Sequence, residues 1–176
     1  MISLSIAILD SDTYQGYEKM KWILILMVCL WLPNILWGQD LFSERIRKIA
    51  CNKTSAFVKQ GIFYNQGDKK PYKLNALRHS YTKSNGYERI VFDFDASDIP
   101  RIYGHIKSQD NKLFIDLFNT ELKAGIKSFG TSKYVKDVKV FPVSNDMLTM
   151  EFGLKQNVEF DIFCLKSPGR LVIDIK

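Results

Sequence analysis

The chain has 176 residues, 25 Lys plus Arg against 19 Asp plus Glu for a formal net charge of +6, and three cysteines. Once an export leader is set aside, about 138 residues remain, room for one domain with a single hydrophobic core. The basic residues are scattered rather than clustered, which fits general solubility as well as contact with anionic envelope polymer or lipid head groups, and export excludes nucleic acid as a partner.

The leader is read first, because a targeting segment is easily mistaken for structure. From Met20 the chain reads MKWILILMVCLWLPNILWGQD, with Lys21, an apolar run from Trp22 to Leu32, Pro33, and Gly38 before a cleavage point. Residues 20–38 are therefore expected to be a signal peptide. The run falls short of the ~20 apolar residues that span a bilayer, although continuation through Ile35 to Trp37 keeps an uncleaved anchor as the alternative. Residues 1–19 place three acids ahead of a leader that should begin with positive charge, so they are expected to be a start-site artefact. A lipoprotein signal requires a cysteine after a small residue at the end of the apolar run; Cys29 lies inside that run, after Val28, and Cys51 follows RKIA, so neither fits.

Residues 39–73 form an arm. Leu41, Phe42, Ile46, Ile49 and Ala50 fall at near-helical intervals behind Asp40 or Ser43 as a cap, which predicts a short amphipathic helix over 40–50. NQGDKKP, residues 65–71, has turn and linker composition. Beyond the leader two cysteines remain, Cys51 and Cys164. Export permits them to pair, while the alternating pattern VEFDIFCL also accommodates Cys164 as a buried free thiol.

After Pro71 the pattern is that of strands. LNALRHSYT leads through the turn signal NGY into ERIVFDFD, then PRIYGHIKS, the turn QDN, and KLFIDLF. A connector follows, TELKAGIKSFGTSK, with room for one short helix. A second group repeats the plan: YVKDVKVFPV, SND, MLTMEFGL, NVEFDIFCL, KSPG and RLVIDIK. NKLFIDLF and GRLVIDIK contain Leu113 and Leu171, Ile115 and Ile173, and Asp116 and Asp174, each pair 58 residues apart. Applied without gaps, the same offset pairs Ile90 with Leu148, Phe92 with Met150 and Phe94 with Phe152. An internal duplication of four strands is the reading that explains three strand-turn-strand spacings at once. Each unit has one apolar face it cannot bury alone, so the expected fold is all-β: a β-sandwich of two quasi-repeated four-stranded halves facing each other, preceded by a signal peptide and a short, partly helical arm. Leu and Ile of the two L-x-I-D endings point inward, leaving Asp116 and Asp174 toward solvent or a partner across the sheet edge.

YERIVFDFD, the spaced IKSQDNKLFIDLF and the closing LKSPGRLVIDIK resemble the AMIN domain, a small exported β-sandwich of bacterial cell-wall amidases and type IV pilus secretins. The likeness covers residues 74–176, with Arg89 to Asp93 and Arg170 to Asp174 in the places of the family's Arg-led strands. It implies a non-catalytic periplasmic module that binds peptidoglycan and localises an envelope process. Docking to a protein complex such as a type IV pilus or secretion pore is the alternative. The family's module usually accompanies a catalytic or pore-forming domain, whereas the chain as given closes at Lys176.

The sequence carries no recognisable catalytic motif. His79 and His105 read as sheet-surface residues rather than zinc ligands, and neither a nucleophile elbow nor a phosphate loop is present. The expectation is no catalytic residue, metal or cofactor. For ligand binding the candidates are Arg89, Arg170 and Arg101, whose planar guanidinium suits carboxylates of stem peptides, and Tyr87 and Tyr103, which suit sugar rings. The competing reading pairs these arginines across strands with Asp93, Asp116 or Asp174. A lipid carrier would need an apolar cavity, and IVFDFD and FIDLF read instead as filled core strands.

Overall fold

A computed structural model describes Lys21 and residues 45–123, 131–144 and 146–176. The chain divides into two units, Met1–Leu41 and Phe42–Lys176, and the second carries the strands. The start-site and signal-peptide expectations lie outside the described residues, Lys21 apart. Among the described residues no helix is long and apolar enough to cross a membrane.

Strands run in the order β1 (Ile46–Lys48), β2 (Gly61–Asn65), β3 (Tyr72–Thr82), β4 (Tyr87–Phe94), β5 (Ile102–Lys107), β6 (Lys112–Phe118), β7 (Thr120–Leu122), β8 (Val135–Ser144), β9 (Met147–Leu154), β10 (Phe160–Leu165) and β11 (Arg170–Ile175). They form two mixed sheets. The larger has the order β1-β2-β5-β6-β9-β8 and the smaller β10-β11-β4-β3-β7. Alternation dictates this: along β4, β6 and β9 every second residue is buried, so each strand offers one apolar face, and the two inner faces meet in one core. Phe92 of β4 and Phe152 of β9 are fully buried, with ring centroids 6.0 Å apart in a tilted contact across the sandwich.

The duplication appears in the topology, with two corrections. The halves do not each make a sheet. β3-β4 joins the smaller sheet while β5-β6 joins the larger, and β8-β9 and β10-β11 do the reverse. Each sheet therefore holds one hairpin from each half, and β5-β6-β9-β8 reads as the counterpart of β10-β11-β4-β3. The physical reason is that the β4–β5 and β9–β10 connections cross from one sheet to the other instead of turning back within one, so each half wraps the shared core.

The spacing is also not uniform. Leu113 pairs with Phe152 while Leu171 pairs with Phe92, so the second strands are 60 residues apart, not 58. Phe92 thus corresponds to Phe152 and Ile90 to Met150, two residues from the gapless alignment. A slip of two preserves which face each side chain occupies, so the hydrophobic pattern could not reveal it. The first strands are offset by 61, each with a register irregularity near its start, between Leu74 and Ala76 in β3 and between Val135 and Asp137 in β8.

The arm is also corrected. In its described part the predicted helix is absent: Ile46–Lys48 is a strand paired in parallel with β2, and β2 pairs antiparallel with β5. Ile49 and Phe63 of the arm are buried in the common core. Phe63 lies opposite Gly104 of β5, where a Cβ would collide with the Phe63 ring, so a bulky residue on the arm fills the place of a missing side chain. Between β1 and β2, residues 49–60 form a strap that leaves the larger sheet and reaches the edge strand β10. Ala50 C=O accepts from Cys164 N–H at 2.8 Å, and Val58 and Phe160 exchange backbone hydrogen bonds at 2.9 and 2.8 Å. Cys51 and Cys164 are joined as a disulfide, resolving the choice between pairing and a free thiol. Residues 66–71 join β2 to β3.

Candidate functional site

The five candidate residues lie on opposite outer faces of the sandwich. On β4, Glu88, Ile90, Phe92 and Phe94 are buried, so Tyr87, Arg89, Val91 and Asp93 face outward from the smaller sheet. Arg170 on β11 is opposite Asp93 and shares that face. On β5, Ile102 and Ile106 are buried, and Tyr103 points out from the larger sheet, with Arg101 just before it.

The smaller sheet's face is closed by ion pairs and the strap. One row across it runs Asp161, Asp174, Arg89 and Ser80 on β10, β11, β4 and β3. The Arg89 guanidinium donates twice to Asp174, from Nε at 2.6 Å and Nη2 at 2.8 Å, a bidentate pair around a carboxylate with no solvent exposure. That hydrogen bonding holds Arg89 above its ordinary pKa against the opposing effect of burial. Lys53 of the strap approaches the same carboxylate at 3.4 Å and donates to Tyr87 Oη at 3.1 Å; the bond to Tyr87 is the largest of the influences that raise its pKa. Asp161 accepts from Thr54 Oγ1 and Ser55 N–H, both at 3.0 Å. Asp174, expected toward solvent or a partner, is thus a buried structural anion. In the next rows, Phe163 and Val172 are 2% exposed, and Arg78 holds Asp93 through bonds of 2.5 and 2.7 Å. Arg170 Nε is buried with no hydrogen-bond partner among the described residues.

The larger sheet's face is open and aromatic. Its corresponding row runs Tyr64, Tyr103, Asp116, Thr149 and Phe141 on β2, β5, β6, β9 and β8. Tyr103 is 41% exposed and Phe141 44%. Asp116 accepts from Thr149 Oγ1 at 2.6 Å, a neutral partner that leaves the carboxylate charge uncompensated in the row. The Arg101 guanidinium lies 4.0 Å from the centroid of the Phe118 ring, with no acid in ion-pair reach among the described residues. Phe114, half-buried, lies between His105 and Glu151 in the adjacent row. Glu151 is paired with Lys112 at 3.0 Å and Lys139 at 3.6 Å, and the hydrogen bond from Lys112 holds its carboxyl below the usual range.

Tyr103 and Arg101 are therefore together, while Tyr87, Arg89 and Arg170 lie on the other side. Tyr64, Phe114, Phe118 and Phe141 were missed as surface residues. The signal was available in KLFIDLF: with Leu113, Ile115 and Leu117 inward, Phe114 and Phe118 must be outward. Among the described residues no cluster of His, Cys, Asp or Glu is arranged to hold a metal ion.

No curated protein matches the chain as a relative. The family model described as the AMIN domain matches residues 79–175, from within β3 to the end of β11. This is more than half of the chain and takes in both hairpin pairs of the duplicated sandwich; the chain belongs to the AMIN domain family.

Proposed function

We propose that this chain is a non-catalytic, periplasmic module that binds peptidoglycan through the outer face of its larger sheet and so localises a cell-envelope process. AMIN domains are exported modules of this kind, found in cell-wall amidases and secretins, and are themselves non-catalytic. The observation that carries the reading for these residues is the contrast in availability. Tyr103 offers an exposed ring and Arg101 an uncompensated guanidinium side by side, whereas Arg89 is committed to a buried carboxylate. Flat aromatic rings suit the apolar faces of sugars, and a guanidinium suits stem-peptide carboxylates.

The test is co-sedimentation of the purified protein with isolated sacculi at low and moderate salt. The reading predicts binding that weakens but persists as the charge component is screened; absence of binding at both salts contradicts it.

One observation favours docking to an envelope protein complex such as a pilus or secretion pore. β8 is an edge strand, and its Phe141 and Val143 are 44% and 57% exposed, a template to which a partner strand adds. That reading predicts little affinity for bare wall and a protein recovered by in-cell cross-linking to β8.

A further inference from the structure

The strands IVFDFD and FIDLF contribute Ile90, Phe92, Phe94, Ile115 and Leu117 to the hydrophobic core. The cavity lies beside it. Where β2 of the larger sheet and β10 of the smaller diverge, the strap spans the gap and leaves beneath it a cleft of about 420 Å³, within the range of small-molecule sites. Its floor is the apolar edge of the core, Ile49, Phe63, Ile106 and Phe160 with Val58 and Ile162 packed against them, and Thr54, Gln60 and Asp161 supply polar lining.

The mouth is basic. Arg45, Arg47 and Lys48, on and just before β1, line the cleft, and no acid pairs with any of them among the described residues. Arg45 and Lys48 are exposed. The acid at the cleft, Asp161, is held by the Thr54 hydroxyl and the Ser55 N–H of the strap. Gly61 lets β1 run this close: its φ is +135°, and a Cβ there would press on the Arg45 carbonyl. Most of the lining comes from the arm, ahead of the family-matched residues 79–175.

We propose that the cleft under the strap binds a single-chain amphiphile, its alkyl chain between the strap and the sheet edges and its anionic head group against Arg45, Arg47 and Lys48. An apolar floor with three cations on the flanking segment Arg45–Lys48 matches such a molecule in both parts, since the chain leaves water and the head finds charge beside the cleft. A fatty acid and an anionic lysophospholipid share this chemistry and differ in the size of the head group.

The experiment is titration of the full chain with palmitate and with lysophosphatidylglycerol below their micellar concentrations, using lysophosphatidylcholine as the zwitterionic control. One saturable equivalent of either anionic probe is expected, and which of the two binds more tightly identifies the source. The zwitterionic control should bind about tenfold or more weakly, and the rim reversal Arg45→Glu/Arg47→Glu/Lys48→Glu should cost a similar factor. Ala56→Trp, at an exposed position of the strap lining the cleft, should block all three probes without altering the unfolding transition. Failure of both anionic probes to bind, equal binding of the zwitterionic control, or binding that survives Ala56→Trp in a folded variant would each overturn the proposal. Sacculus binding reads the larger sheet's outer face and is unaffected by either result.

Discussion

Asp116 and Asp174 end the same L-x-I-D motif, occupy equivalent strands of the two halves, and have opposite surroundings. Asp116 lies between Tyr103 and Thr149 on an open face; Asp174 lies between Asp161 and Arg89 with no exposure. The rows correspond position by position, Tyr103 to Asp161 and Thr149 to Arg89, at the spacings of their strands. One duplicated backbone thus carries two unlike surfaces. Ion pairs and a disulfide-tethered strap close one face, while aromatic rings and an uncompensated arginine remain exposed on the other. The difference teaches that within this sandwich the inward residues were held to one pattern by the shared core, and the outward residues were free to diverge.

That comparison breaks most sharply at Asp174. Asp174→Ala leaves the half-buried Arg89 guanidinium without its anion and should cost about 1.5–3 kcal/mol in denaturant unfolding, the usual worth of hydrogen bonds to a charged group. Asp116→Ala, at the equivalent position, should cost far less, because its partner Thr149 carries no charge. Equal losses would mean that the two faces are not different in kind.

The tether comes next. Cys51→Ser with Cys164→Ser removes a link between residues 113 apart and should lower stability by about 2–4 kcal/mol, read from the same transition. Gly104→Ala puts a methyl into the Phe63 ring and should cost about 1–3 kcal/mol through overpacking.

Acid titration gives a smaller effect. Hydrogen bonds from Lys112 and Lys70 hold Glu151 and Asp98 below the ordinary carboxylate range. Their contribution is therefore complete above the unfolded carboxylate pKa of about 4 and is lost as pH falls through the lower folded values. Thermal unfolding between about pH 6 and pH 2 should show that loss, and Lys112→Ala should flatten the Glu151 part of it. Smallest of all on stability should be Arg101→Ala with Tyr103→Ala, within about 0.5 kcal/mol because both side chains are exposed.

Much of this architecture was legible in the sequence. Alternation located the eight repeated strands, and the L-x-I-D endings exposed the duplication. The arm was misread because Ile46, Ile49 and Ala50 fit a helical interval, while their tertiary partners, the β2 edge and β10, outweigh local preference. The exchange of hairpins between sheets was not legible, since patterning fixes which face is buried and not which strand lies beside which. Asp174 was placed on the right face of β11, but Lys53, which approaches it, and Thr54 and Ser55, which hold the neighbouring Asp161, reach that face only through the folded strap. For the same reason Arg89 and Arg101 look alike in sequence and differ in availability.

The most direct test of the two-face account is sacculus co-sedimentation of two variants beside the parent protein: Arg101→Ala/Tyr103→Ala on the open face and Arg89→Ala/Arg170→Ala on the closed one. The account predicts that the first pair loses wall binding with its unfolding transition unchanged, and that the second loses stability while its folded fraction still sediments. Undiminished binding by the first pair, together with lost binding by a folded second pair, would contradict it and place recognition on the smaller sheet.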